Sequence, residues 1–138
     1  MGEIAATHDM VASAVLYTRL ANMGLGVLRK CDQEQNTTNR ASIRKEVVSA
    51  CLGGLQRFLE GGAYQNLGDL LAICERVTWF SEKERCVKDL HRLKLELYKG
   101  NKKGVELKAK DWLNLCTERG WKQEKSLAAR VLSAYNSC

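Results

Sequence analysis

The sequence predicts an all-α protein: a single compact bundle of about six amphipathic helices, whose lengths would fit three stacked antiparallel hairpins. Apolar residues recur every three or four positions along most of the 138 residues, as in helices that bury one face. The chain contains no proline, and this absence favours helices joined by glycine and polar turns. Ser81 and Glu84 match the capping box that marks a helix start.

The stretch from Tyr64 to Lys99 predicts two helices around which the other segments would pack. The first, Tyr64 to Phe80, has an apolar stripe made of Leu67, Leu70, Leu71, Cys74, Val77 and Thr78. The second, Ser81 to Lys99, has a stripe made of Cys86, Leu90, Leu93 and Leu97. Leucines 93, 95 and 97 alternate with polar residues, a pattern that also suits a short strand, but the capping box and the longer period favour a helix.

The N-terminal part predicts a loose start, one helix and an exposed loop. Residues 1–7 are expected to be a short loose lead, followed by a helix from about His8 to Lys30. Gly24 and Gly26 weaken this helix, and they indicate a bend or a place where another helix approaches closely. Residues 32–40 contain no apolar side chain and are expected to form an exposed polar loop.

Three further helices complete the prediction. One runs from about Ser42, its expected cap, to Glu60, where two glycines end it. Another covers about Lys103 to Arg119, and the last covers about Lys122 to Tyr135. Because no long linker interrupts these helices, residues 1–138 are expected to form one domain.

The cysteines are predicted to be reduced thiols inside the core. Four of the six, Cys51, Cys74, Cys86 and Cys116, lie in apolar helical stripes, where a free thiol behaves as a small hydrophobic group. No N-terminal segment resembles a signal peptide, and no apolar run approaches the roughly 20 residues of a membrane span. The expected location is therefore the cytoplasm or the nucleus, without secretion.

No catalytic or cofactor site is predicted. The only histidines are His8 and His91. His91 stands five residues after Cys86, an offset that does not place the two on one helix face, although a Cys–His pair could still form through the fold. His91 is expected to be partly exposed. The spacing of the cysteines lacks the short C-x2-C pattern of zinc sites, although Cys74, Cys86, Cys116 and His91 could meet through the fold. We therefore expect a protein that is not an enzyme and has no metal or cofactor.

The charge is uneven and suggests a polyanionic partner. Residues 1–69 hold seven Lys/Arg and seven Asp/Glu, whereas residues 70–138 hold fifteen and nine and so carry the whole net charge of +6. We predict a non-catalytic nucleic-acid-binding protein, with RNA as the favoured ligand, which contacts the phosphate backbone without sequence specificity. The candidate contacts are Arg85, Lys88, Arg92, Lys99, Lys102, Lys103, Lys108, Lys110, Lys122, Lys125 and Trp121.

Local neutralisation is the simpler interpretation of the same charges. Acidic residues stand three or four positions from several of these cations and could pair with them on the helix surface: Glu84, Asp89, Glu96 and Glu106. Convergence of the cations into one strip would favour nucleic-acid binding. Scattered and paired cations would favour a solvated surface.

The alternative function is a helical protein–protein interaction module, which captures a partner helix or self-associates into a homo-oligomer. Such a module needs apolar residues that the core leaves exposed. The candidates are residues that fall off the main stripes, namely Trp79, Phe80, Leu95 and Trp121.

Overall fold

The computed structural model describes residues 2–33, 40–77 and 80–137, and it confirms the all-helical prediction. Six helices and no strand occur in these residues: α1 (Gly2–Gln33), α2 (Arg40–Glu60), α3 (Tyr64–Cys74), α4 (Glu82–Tyr98), α5 (Val105–Arg119) and α6 (Lys122–Ser137). The side chains described in α1 are those of Ala12 and residues 14–30. The helices group into two compact units, residues 1–79 and 80–138, so the expectation of one domain over 1–138 stays a prediction.

The ends of α1 and α2 differ from the predicted ends. Since α1 begins at Gly2, residues 2–7 are helical and do not form the expected loose lead. Their alanines and glutamate have high helix propensity, which explains the early start. α2 begins at Arg40, two residues before the predicted cap. Of the predicted loop 32–40, residues 34–39 lie outside the described part of the chain.

α3 is shorter than predicted, because it ends at Cys74 and not at Phe80. The backbone N–H of Val77 donates to the carbonyl of Cys74 at 3.0 Å, an i→i−3 bond that tightens the chain after the last helical turn. Val77 is nevertheless buried, as its place in the stripe predicted. Thr78 and Trp79 lie outside the described residues.

The start of α4 confirms the capping box. The Ser81 hydroxyl accepts a hydrogen bond from the backbone N–H of Glu84 at 3.2 Å. In return, the Glu84 carboxylate accepts one from the backbone N–H of Ser81 at 2.8 Å. Since α4 continues to Tyr98, its alternating leucines are helical, as the longer period predicted.

In the first unit, α1 and α2 run antiparallel in close contact, and α3 packs against both. Gly24 faces Val47, and further back along α1 Ala14 and Tyr17 face Gly54. A Cβ at Gly24 would overlap Cγ2 of Val47, and a Cβ at Gly54 would lie 2.6 Å from Cδ2 of Leu70. These glycines therefore allow helix backbones to approach more closely than side chains would permit.

The second unit is built on a core shared by α4, α5 and α6. Its buried members are Cys86, Leu90, Leu93, Leu97, Val105, Ala109, Cys116, Ala128 and Val131. Gly104 has φ 76° and precedes α5, which is why this helix begins after the predicted Lys103. Gly120 has φ 72° and ends the same helix as predicted, because glycine adopts this left-handed conformation without steric cost.

Two alanine substitutions test the close contact of α1 with α2. A Cβ added at Gly26 would meet no atom within 4 Å, so Gly26→Ala should stabilise the protein by about 0.5–1 kcal/mol through helix propensity. Gly24→Ala gains the same propensity but forces the stiff Val47 side chain to move. We expect Gly24→Ala to be about 1–3 kcal/mol less stable than Gly26→Ala in urea unfolding. Equal stabilities would contradict the close contact.

Candidate interaction surfaces

An exposed apolar stripe runs along α1. Its members are spaced by four, three and four residues, which places them on one helix face: Leu16, Leu20, Met23 and Val27. Their exposed fractions are 58%, 55%, 66% and 46%. Single exposed apolar residues are ordinary on protein surfaces, but a contiguous row is typical of a binding surface. We call these four residues the α1 stripe.

The α1 stripe forms one wall of an open groove between α1 and α2. The groove has a volume of about 740 Å³. On the α1 side, Leu20, Met23 and Val27 line it, and on the α2 side Ile43, Val47 and Ala50 do so. The exposed lining is therefore mainly apolar, although the α2 side also carries Lys45, Glu46 and Ser49. Both walls belong to the same compact unit.

Local sequence explains why this groove exists beside the core. The face of α1 that turns toward the core carries small or aliphatic residues, and Ala14, Ala21 and Leu28 are buried there.

At one end of the groove, the Arg57 guanidinium lies 4.6 Å from the centre of the Tyr17 ring. Arg57 also donates to the Gly53 carbonyl at 3.1 Å, which holds the guanidinium and the ring in place.

The two helix segments that form the groove are strongly basic. Residues 14–30 and 40–50 contain one acidic residue, Glu46, and six basic residues: Arg19, Arg29, Lys30, Arg40, Arg44 and Lys45. Arg40 is half-buried, and the other five are exposed. Of these cations, Lys45 lines the groove, and Arg19 and Lys30 lie at the edge of the α1 stripe; we call these three residues the basic rim.

Of the apolar residues predicted to stay exposed, two were wrong and one is partly covered. Phe80 and Leu95 are buried, and Trp121 is half-buried against the core of the second unit. Trp79 lies outside the described residues. Leu95 was misplaced because α4 is buried on a second face: His91 and Leu95, one turn apart, are both buried away from the stripe that begins at Cys86.

The predicted nucleic-acid contacts are mostly exposed but do not all share one face. Eight of the basic residues are exposed: Arg85, Lys99, Lys102, Lys103, Lys108, Lys110, Lys122 and Lys125. Lys88 and Arg92 are half-buried. Arg85, Lys88 and Arg92 of α4, and Lys99 directly after it in helical conformation, lie within about 60° of one another around the helix axis. Lys108 and Lys110 lie about 200° apart on α5 and so occupy opposite flanks.

Several of these cations have local partners. Lys110 donates to the Glu106 carboxylate at 2.5 Å, as predicted from their spacing. The hydrogen bonds from Lys110 and from the Tyr135 hydroxyl lower the pKa of Glu106. The ammonium of Lys102 lies 5.7 Å from the Tyr135 ring centre, and that of Lys88 lies 5.7 Å from the Phe80 ring centre. Part of the predicted surface is therefore already engaged within the second unit.

Two other acids of the predicted ion pairs make contacts that the sequence did not predict as pairs. Glu84 completes the capping box, and Glu96 accepts a hydrogen bond from the Asn101 side chain at 2.8 Å. Two bridges that were not predicted join α4 to the other helices of its unit. Glu82 lies 3.2 Å from Arg119, and Lys83 lies 3.7 Å from the buried Glu124. The sequence did not predict these bridges because their partners come close only when the helices pack against one another.

The four core cysteines confirm the prediction of reduced, buried thiols. Cys51, Cys74, Cys86 and Cys116 are free and buried. The sulfur atoms of Cys86 and Cys116 lie 3.6 Å apart. Burial raises the pKa of Cys86, and the hydrogen bond with Cys116 raises it further, because both favour the neutral thiol.

His91 is buried, contrary to the expectation of a partly exposed histidine. Its Nδ1 atom donates to the Val87 carbonyl at 2.8 Å, one turn earlier on α4, which fixes the ring orientation. Within the described ranges, no group of three or more His, Cys, Asp or Glu side chains could hold a metal ion. Within the second unit, Cys86, His91 and Cys116 therefore do not form such a group.

The comparisons with known proteins add no relationship. No protein-family description, no curated protein and no solved structure matches this chain. In the part of the chain that the structure describes, no helix has both the length and the apolar composition to cross a membrane.

Thiol alkylation tests the core position of Cys86. At a pH of about 8.5, near the ordinary thiol pKa, an exposed cysteine is about half ionised and reacts readily. Because the pKa of Cys86 is raised, its thiolate should be scarce in the folded protein. We expect iodoacetamide to modify Cys86 and Cys116 only after unfolding, as measured by peptide mass spectrometry. The same reaction in concentrated urea is the control, and rapid native modification of Cys86 would contradict its burial.

Proposed function

We propose that this protein is a helical protein–protein interaction module that captures an amphipathic helix of a partner in the groove between α1 and α2. The observation that carries this proposal is the α1 stripe, which leaves four apolar side chains about half exposed or more beside an apolar wall. A helix with apolar residues at matching intervals could pack its own stripe into such a groove.

The free energy gained by burying the α1 stripe indicates that binding needs additional contacts. Full burial of one Leu, Met or Val side chain contributes about 1.5–3 kcal/mol, so burying the exposed half of four such residues would contribute about 3–6 kcal/mol. Association costs about 4–15 kcal/mol in lost freedom. The α1 stripe alone therefore favours weak binding, and the α2 wall or the charged rim must supply the rest.

A charge on the α1 stripe should weaken this binding strongly. We expect a fluorescent peptide helix with leucines spaced by four, three and four residues to bind the wild-type chain in an anisotropy titration. Met23→Glu should weaken binding by about tenfold or more, because it removes apolar burial and places a carboxylate against leucine. Asn22→Glu adds the same charge at a neighbouring exposed position that points away from the stripe, and it should bind like wild type.

Two outcomes would contradict the proposal. One is that the peptide binds neither the wild-type chain nor Asn22→Glu. The other is that Met23→Glu unfolds at a lower urea concentration than Asn22→Glu, since the stripe would then be covered by the chain itself.

We propose nucleic-acid binding as a second candidate, through the face of α4 that carries Arg85, Lys88, Arg92 and Lys99. The observation in its favour is that these four residues share one face of the helix. Positive charge alone supports phosphate binding without sequence reading.

Reversal of the exposed charges tests this candidate. Arg85→Glu with Lys99→Glu should weaken binding to single-stranded and duplex RNA about equally for all sequences, and wild-type affinity should fall steeply as salt is raised. Filter-binding titrations at several salt concentrations measure both effects. Arg130→Glu, an exposed basic position on α6, is the matched control. No measurable RNA affinity at low salt would rule the candidate out.

A further inference from the structure

We infer that the helix captured by the groove carries acidic residues beside its apolar stripe, and that it does not come from a second copy of this chain. This inference rests on the proposed function and names the chemistry of the partner. Its basis is the charge of the rim, which is independent of the apolar walls.

The rim places positive charge directly beside the α1 stripe. Arg19 follows Leu16 by three residues, and Lys30 follows Val27 by three, so each lies at the edge of the stripe. Both are exposed. Across the groove, Lys45 and Glu46 line the α2 side. A partner helix lying in the groove would therefore meet mainly cations along its flanks.

The α1 stripe of a second copy lacks the acidic flanks that would complement this rim. Residues 14–30 of α1 contain three basic residues and no acidic residue. If two α1 helices packed stripe to stripe in antiparallel orientation, Arg19 and Lys30 of one copy would face the same cations of the other, because both lie on one edge of the stripe. Like charges across an interface disfavour the pairing, and opposite charges set partner choice. The same basic rim that disfavours self-association favours an acidic partner.

The length of the stripe also specifies the partner. Eleven residues separate Leu16 from Val27, which corresponds to about 16 Å along a helix. A partner segment of about three turns is sufficient to cover it. The inferred recognition element is therefore a short amphipathic helix with three or four apolar residues on one face and Asp or Glu at the flanking positions.

A pair of designed peptides tests the inference. Both carry leucines spaced by four, three and four residues, and they differ only in glutamate or lysine at the flanking positions. We expect the glutamate peptide to bind the wild-type chain about tenfold more tightly in low salt, with the difference shrinking as salt screens the charges. Arg19→Glu with Lys30→Glu should reverse this preference. Arg29→Glu, two residues beyond Val27 and so on the far side of α1, should leave the preference unchanged.

The outcomes separate this inference from the function on which it rests. Equal binding of the two peptides, with loss of both in Met23→Glu, would overturn the acidic partner and leave helix capture standing. Sedimentation of the wild-type chain as a dimer that Met23→Glu dissociates would also overturn it in favour of a second copy. Displacement of the glutamate peptide by single-stranded RNA at its own binding concentration would reassign the rim to nucleic acid. Failure of both peptides to bind would remove the proposed function itself.

Discussion

The close contact between α1 and α2 at Gly24 is the constraint on which the first unit depends. Because Gly24 has no side chain, Val47 packs directly against the backbone of α1. This contact aligns Ala14, Ala21 and Leu28 with the core. It also leaves the neighbouring face of α1 next to α2 but uncovered. The same helix pairing thus builds the core and one wall of the groove.

Sequence patterns predicted the helices well because each has local signals. The capping box located the start of α4, and glycines located the ends of α2 and α5. The end of α3 was missed, since the apolar period continues to Val77 after the helix has stopped. The burial of His91 and Leu95 was missed for a different reason. A period in one helix identifies a single face, whereas burial of a second face depends on the arrangement of other elements.

The groove exists because α1 carries a second apolar stripe beside the one that is buried. The first stripe of this helix, with Ala14, Ala21 and Leu28, is buried in the core. The second stripe has the same spacing, and sequence alone does not show which of two such faces the rest of the chain will cover. In a similar way, the net charge of residues 1–69 did not reveal that the two groove segments are basic. Residues 1–69 are neutral in total, yet six of their seven cations lie in the two groove segments, together with only one of their seven acids.

The two candidate surfaces differ in how far the fold itself explains them. On α4, Lys88 lies over Phe80 and Arg92 is half-buried, so part of the basic face has a structural role within its unit. The α1 stripe has no comparable role, because the core of the first unit closes on the adjacent face of the helix. Replacing Leu20 or Met23 by a polar residue would cost the core of the first unit little stability, and it would improve solubility. Because about half of each of these side chains is exposed, each contributes less to folding than a fully buried core residue, and a partner that covers them would account for their apolar character.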